Sequence, residues 1–331
     1  MATTSAGVTT PAPASVQPRG GIVFSIAGAL WRVNADGSSL RRVISANREI
    51  RPAVTAPEFS PDGRQLAYIE GHQYVVIAGD PGANQLAEIR RIDLFDKFPL
   101  TPTGADNWDI GPFAVHWSPD GGLLLVTRQR AQGGSGYTDV MLMKPDGSER
   151  RVVLTAQRLA PSFPEATWSA SRAPDPRPPP SIVVVGGSNG TTGELYDLQG
   201  NGGGAVYPAQ TTRIAVATHQ NPYGEGVLVA SSAGSPEPFG PIELYDITGA
   251  SRVLGRGCGA AWSPDGRFIA YYDGSNITVQ PLYSETGDPD RSPRRIVSNA
   301  DVGLDASRAH PELCLGAGIT WRREPFIDSP D

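Results

Sequence analysis

Residues 261–271 read AWSPDGRFIAY, and nearly the same phrase stands twice more, as EFSPDGRQLAY at 58–68 and HWSPDGGLLLV at 116–126. An aromatic residue, then Ser-Pro-Asp-Gly, then an apolar run spells strand, tight turn, strand. Pro61, Pro119 and Pro264 preset φ at the second turn position, and the glycine two places on supplies the left-handed conformation that closes the hairpin. The aspartates between them, Asp62, Asp120 and Asp265, are assigned to the backbone amides of their turns. Three copies in register cannot all sit in one active site. Shorter versions begin at Thr167 (TWSAS) and Thr320 (TWRRE).

A second phrase recurs out of phase with the first: ALWRVNADGSSLRRVI at 29–44 and VMLMKPDGSERRVVL at 140–154, with the relatives ELYDLQGNG from Glu194 and ELYDITGAS from Glu243. It also spells strand, Asp-Gly turn, strand. In series, the two phrases make a four-stranded unit of the kind that forms a propeller blade. First strands counted by their aromatic residue fall at Phe59, Trp117, Trp168, Trp262 and Trp321, with a degenerate one near Val216. The sequence therefore predicts an all-β fold, a six-bladed β-propeller of four-stranded blades. Residues 21–33 lack a first strand and residues 319–322 are a first strand without a blade. The ring is accordingly expected to be closed by the C-terminal strand joining the N-terminal blade, which leaves no free sheet edge.

Composition agrees with many short strands: Gly (39) and Pro (31) exceed a fifth of the 331 residues. Residues 1–19 read as a disordered Thr/Ala/Pro-rich tether and residues 20–331 as the propeller. A net charge of -6 disfavours nucleic acid as a partner. No apolar run approaches the roughly 20 residues that cross a bilayer, so direct membrane insertion is not expected. The tether lacks the apolar centre of a signal peptide; the expectation is an extracytoplasmic protein (periplasmic, secreted or lipid-anchored) whose export signal is absent from this sequence. Cys258 and Cys314 are the only cysteines, the candidates for one disulfide. Each precedes a first-strand tryptophan, at Trp262 and Trp321, and free buried thiols are the alternative.

Trp-Ser-Pro-Asp-Gly before an Ile-Ala-Tyr-like strand, and Asp-Gly-Ser before Arg-Arg, resemble the repeats of TolB-type, WD-repeat-like propellers over about residues 20–326. The resemblance implies a six-bladed ring from bacteria, and it extends to TolB, a periplasmic envelope protein, and to the non-catalytic propellers of prolyl peptidases and tricorn-like proteases. The chain departs from the pattern at 169–181 and at 218–226, where the tight turn is replaced, and the N-terminal domain expected of TolB does not precede the repeats.

Chemistry-bearing patterns are few. Gly186-Gly187-Ser188-Asn189-Gly190 matches G-x-S-x-G, but a nucleophile elbow needs a helix next and the following residues read as a strand. His116 and His219 fall on first strands, where a metal site competes with plain channel-lining polar residues. Long connections from the fourth strand of one blade to the first of the next share one face of the ring, at 46–57, 95–112, 156–164 and 298–316. The expected binding surface is this face, with Trp108 as apolar anchor, Asp109 and His310 as orienting groups, and Arg51, Arg158 and Asp305 around them. Trp108 filling the gap between two blades is the competing role. Calcium on the carboxylates of these loops is conceivable, though no complete calcium-loop spacing is present and no cofactor is expected. The function expected is a monomeric, non-catalytic propeller of the cell envelope that binds or scaffolds a protein or peptide. The alternatives are a propeller hydrolase or lyase, or the propeller of a larger peptidase-like protein.

Overall fold

A computed structural model of the chain describes residues 17–45, 54–71, 73–79, 86–94, 111–132, 135–157, 165–169, 181–185, 193–205, 214–220, 226–232, 240–246, 251–282, 292–307 and 318–326. Strands are numbered in chain order. The phrase at 29–44 forms β2 (Ala29–Asn34) and β3 (Arg41–Ile44), preceded by β1 (Gly21–Ile26), and the last strand, β23 (Ile319–Arg322), pairs antiparallel with β1 to give the order β23-β1-β2-β3. Three further sheets are consecutive antiparallel meanders. They comprise β4 (Val54–Phe59), β5 (Gln65–Glu70), β6 (Tyr74–Gly79) and β7 (Ala87–Asp93); β8 (Gly111–Trp117), β9 (Leu124–Gln132), β10 (Ser135–Met143) and β11 (Arg151–Gln157); and β12 (Glu165–Ser169), β13 (Ser181–Val185), β14 (Gly193–Tyr196) and β15 (Gly202–Ala205).

In place of two more separate four-stranded sheets, the chain forms one sheet of seven strands, so six separate sheets are not what the structure holds. Its strands are β16 (Ile214–Gln220), β17 (Gly226–Ser232), β18 (Gly240–Asp246), β19 (Ser251–Trp262), β20 (Phe268–Tyr272), β21 (Asn276–Pro281) and β22 (Arg294–Ser298). The physical reason is β19. Its first half pairs with β18 as far as Gly257, and its second half pairs with β20 from Cys258 onward, with a register shift before Ala261. Glycines permit the changeover: a Cβ on Gly257 would lie 2.2 Å from the Tyr272 carbonyl oxygen, and Gly259 has φ +60°. The phrase LGRGC therefore runs straight through where a connection was expected.

The architecture is an all-β propeller, with one 3-10 turn (Ala300–Val302) as the only helix among the described residues. Strand side chains alternate between the two faces of each sheet, and both faces are apolar because both are covered by other sheets. Val23 and Leu30 pack on Leu66, Tyr68 and Val76, while Ile22 and Phe24 on the other face pack on Phe268, Ala270 and Tyr272. Ile69 and Ile77 meet Trp117, Val126 and Met141, and Leu125 and Val140 meet Trp168. The innermost strands lie side by side in the order β23, β4, β8, β12, β16, β19, and β19 lies beside β23.

Candidate functional site

The Ser-Pro-Asp-Gly turns show what their aspartates do. Ser60 Oγ donates to Asp62 Oδ1 (2.6 Å), the Arg64 amide donates to the same oxygen (3.0 Å), and the Gln65 amide donates to Ser60 Oγ (2.9 Å). Ser118 with Asp120 and Ser263 with Asp265 repeat the arrangement, each at 2.6 Å. The third-to-fourth-strand turns use the same chemistry, with Asp36 and Asp146 accepting from the amides of Ser38 (2.9 Å) and Ser148 (2.8 Å). These carboxylates face their own turns, and an antiparallel meander puts all of these turns on one face of the propeller, here called the turn face.

The Ser60, Ser118 and Ser38 hydroxyls, each with a backbone amide, hold the carboxyls of Asp62, Asp120 and Asp36 below the ordinary value of 3.8, and the Asn201 amide does the same for Asp197. A carboxyl depressed by folding contributes stability that is present above its unfolded pKa and lost as pH falls through its folded pKa. The chain is therefore expected to lose stability progressively below about pH 4, and Asp62→Ala to lose about 1 kcal/mol at neutral pH. Denaturant titrations at pH 7 and pH 2.5 check both; an Asp62→Ala protein whose deficit is the same at the two values contradicts the assignment.

Two first-strand tryptophans join sheet to sheet, and a third bonds the chain just before β1 of its own sheet. Trp117 Nε1 donates to the Glu58 carbonyl of β4, Trp168 Nε1 to the His116 carbonyl of β8 (3.2 Å each), and Trp321 Nε1 to the Arg19 carbonyl (2.8 Å). The residue before each aromatic forms a polar row: Glu58, His116, Thr167 and Thr320, with Ala261 at the same place on β19. Within it His116 Nδ1 lies 3.8 Å from Glu58 Oε2, and Thr320 Oγ1 accepts from the Phe59 amide (3.1 Å). One imidazole beside one carboxylate serves for hydrogen bonding or proton exchange. Among the described residues, no group of three His, Cys, Asp or Glu side chains is placed to hold a metal ion, and no helix is long and apolar enough to cross a membrane.

The opposite face receives the inter-sheet connections and the second-to-third-strand turns. Of the residues expected there, Arg51, Trp108, Asp109, Arg158 and His310 lie outside the described residues. Asp305 is described: it is exposed and accepts from the amide and hydroxyl of Ser307 at 2.9 and 2.6 Å, a local turn. The connection carrying Trp108 and Asp109 joins β8 at Gly111, which pairs with Gln129 of β9. Sequence reasoning missed what stands there. β9 and β10 run nine residues each against six for β5 and β6, so their hairpin projects roughly 10 Å further on this face. Its base is fixed by a charged pair within the sheet, Arg128 Nη2 to Asp139 Oδ2 at 3.3 Å, with Thr155 Oγ1 donating to Asp139 Oδ1 at 2.8 Å. The signal was present as unusual length between SPDG and KPDG.

The G-x-S-x-G segment at 186–190 lies outside the described residues, but β13 before it and β14 after it pair directly as a hairpin, Val185 with Gly193. A strand follows where an elbow requires a helix. His219 lies on β16. Cys258 is disulfide-bonded and buried; Cys314, the only other cysteine of the chain, lies outside the described residues.

No protein-family profile matches the chain. Its sequence is similar to the probable dipeptidyl-peptidase 5 of Arthroderma benhamiae, 33% identical over 122 residues, and to dipeptidyl-peptidase 5 of Trichophyton equinum, 32% identical over 122 residues. Each match takes in 33% of this chain, which spans 15% of the length of these curated relatives. Among solved structures, a putative TolB from Agrobacterium tumefaciens superposes with a TM-score of 0.49 at 14% identity, covering 92% of this chain and 99% of that one. An oligogalacturonate lyase in complex with manganese superposes at 0.47 and 12% identity, covering 82% and 71%.

Proposed function

We propose that the chain is a closed ring of six four-stranded blades that acts as a monomeric, non-catalytic recognition module, binding a protein or peptide on the face of the long connections. The six-blade reading divides the seven-stranded sheet at Gly257–Cys258, where β19 changes partner. Closure is supported by the circular adjacency of the six innermost strands. It is supported again by the outer rim: the Gly147 turn sits on Ile92 and the Gly200 turn on Val153, each on the last strand of the preceding sheet, and the Gly37 turn sits on Ile296 of β22 in the same way.

The observation that carries the binding assignment is the division of labour between the faces. The short aspartate turns satisfy their own carboxylates on one face, while the long connections and the projecting β9–β10 hairpin share the other. Ligand-binding residues concentrate on loops that a rigid scaffold positions. An array of unstructured peptides probed with the labelled full chain tests this. Trp108→Ala is expected to weaken binding to the captured peptides about tenfold or more, the loss a buried aromatic anchor carries, and Arg64→Ala on the turn face to leave it unchanged. Equal binding by Trp108→Ala and the parent protein removes the assignment.

The disulfide at Cys258 supports placing the protein in an oxidising, extracytoplasmic compartment. A second reading, the propeller of a larger peptidase-like protein, is favoured by the likeness to dipeptidyl-peptidase 5, and a hydrolase domain encoded in the flanking gene sequence is its test. A hydrolase centred on Ser188 would be labelled by a fluorophosphonate probe; the hairpin formed by β13 and β14 predicts no labelling.

A further inference from the structure

We infer that the Cys258 disulfide is a redox-sensitive lock on the junction where the chain's last strand meets its first, an inference that rests on the closed-ring reading. Cys258 stands at the point where β19 leaves β18 and joins β20, and it is 3% exposed. It does not face the strands of its own hairpin alone. Cys258 belongs to the apolar cluster that contains Ile22 and Phe24 of β1, Ile319 and Trp321 of β23, and Phe268, Ala270 and Tyr272 of β20. This cluster fills the junction between the last sheet and the first, and β19 lies beside β23 there.

With one other cysteine in the chain, the covalent partner is Cys314, five residues before β23 begins. The bond thus ties the approach to β23 to the neighbouring innermost strand. The adjoining β23–β1 pairing needs that help more than any other in the fold. Every other neighbouring pair within a sheet is joined by a turn or loop, whereas β23 and β1 come from opposite ends of the chain and are held by pairing over four residues, Gly21–Arg322 to Phe24–Ile319. Phe326 and Asn34 back the same strand on its far side: Asn34 Oδ1 accepts from the Phe326 amide at 2.7 Å, and Asn34 Nδ2 donates to the Phe326 carbonyl at 3.1 Å.

Opening the lock is thiol–disulfide exchange with a dithiol reductant. A thiolate of the dithiol attacks one sulfur, the Cys258–Cys314 bond breaks, and the second thiol of the reductant resolves the mixed disulfide. Two electrons and two protons pass to the cysteines, and the dithiol leaves as its own disulfide. Because Cys258 is buried, exchange in the folded protein waits on local opening of the junction.

Hydrogen exchange on the full chain, before and after dithiothreitol, tests the inference. Reduction is expected to raise exchange at 21–26 and 319–322 at least tenfold while 65–70 and 124–126 keep their protection, and the Cys258→Ser/Cys314→Ser chain is expected to match reduced protein without reductant. Unchanged protection at 21–26 after complete reduction, or a uniform rise across all sheets, overturns the lock. Absence of protection at 21–26 and 319–322 in the oxidised protein instead overturns the closed ring on which it rests. If the double variant fails to fold, the reduced parent protein alone decides.

Discussion

A chain ending at residue 317 is expected not to fold cooperatively. It loses β23 and the segment to Phe326, and with them three buried apolar side chains, Ile319, Trp321 and Phe326. Burial of each is worth about 1.5–3 kcal/mol, so the loss is roughly 5–9 kcal/mol against a typical total stability of about 5–15 kcal/mol. The Trp321 indole hydrogen bond to the Arg19 carbonyl and both Asn34 contacts to Phe326 go as well. What remains exposes the edge of β1, every residue of which is buried in the intact protein, and an apolar edge recruits other chains. Size-exclusion chromatography should find aggregate, and circular dichroism should find no sigmoidal melt. The single substitution Phe326→Ala is the milder version: it removes a ring flanked by the guanidinium groups of Arg32 at 4.8 Å and Arg322 at 4.3 Å and is expected to cost about 3–5 kcal/mol. A truncated chain that melts like the parent contradicts the structural role given to this segment.

The second large effect separates tryptophans by position. Trp117→Ala and Trp168→Ala are each expected to destabilise by about 3–5 kcal/mol, because each indole fills an inter-sheet cluster and its Nε1 donates across to the preceding innermost strand. Trp117→Phe keeps most of the packing and removes the donor, so it isolates the hydrogen bond at about 1 kcal/mol. Trp31 is partly exposed, with Arg42 5.8 Å above its ring, and Trp31→Ala is expected to cost about 1 kcal/mol or less, nearer to a surface substitution. Urea midpoints of the four proteins measure the contrast. Equal losses at Trp31 and Trp117 would contradict the role given to Trp117 as a buried inter-sheet staple.

The strands were largely legible because the repeated phrase carries its own punctuation. Pro and Gly at fixed offsets define the turn chemically, so β4–β5, β8–β9 and the pairing of β19 with β20 could be placed from SPDG alone, and the aspartates were recognisable as turn residues. The junction at β19 was not legible. LGRGC contains glycines where a connection was expected, and only the approach of Gly257 to the Tyr272 carbonyl shows that they allow one strand to serve two sheets. The Trp-to-carbonyl staples were also invisible, since an indole hydrogen bond to a backbone 50 or 60 residues away leaves no local trace in sequence. For the candidate site the limit is different. Its face follows from topology, but Trp108, Asp109, Arg51, Arg158 and His310 stand on connections without periodic pattern, and nothing in their spacing fixes which of them converge. At the base of the projecting hairpin, the two charges of Arg128 and Asp139 are tolerated within one sheet because they are directly opposite each other and Thr155 supplies a further hydrogen bond.

The central claim, a closed ring of six blades in which β19 belongs to two of them, is tested most directly by a crystal structure that traces residues 251–262 and 319–326. The account predicts six-fold pseudo-symmetry, β19 changing partner at Gly257–Cys258, and β23 paired with β1 in the register Ile22–Trp321. A ring of any other number of blades, or a β23 that pairs with a strand other than β1, contradicts it.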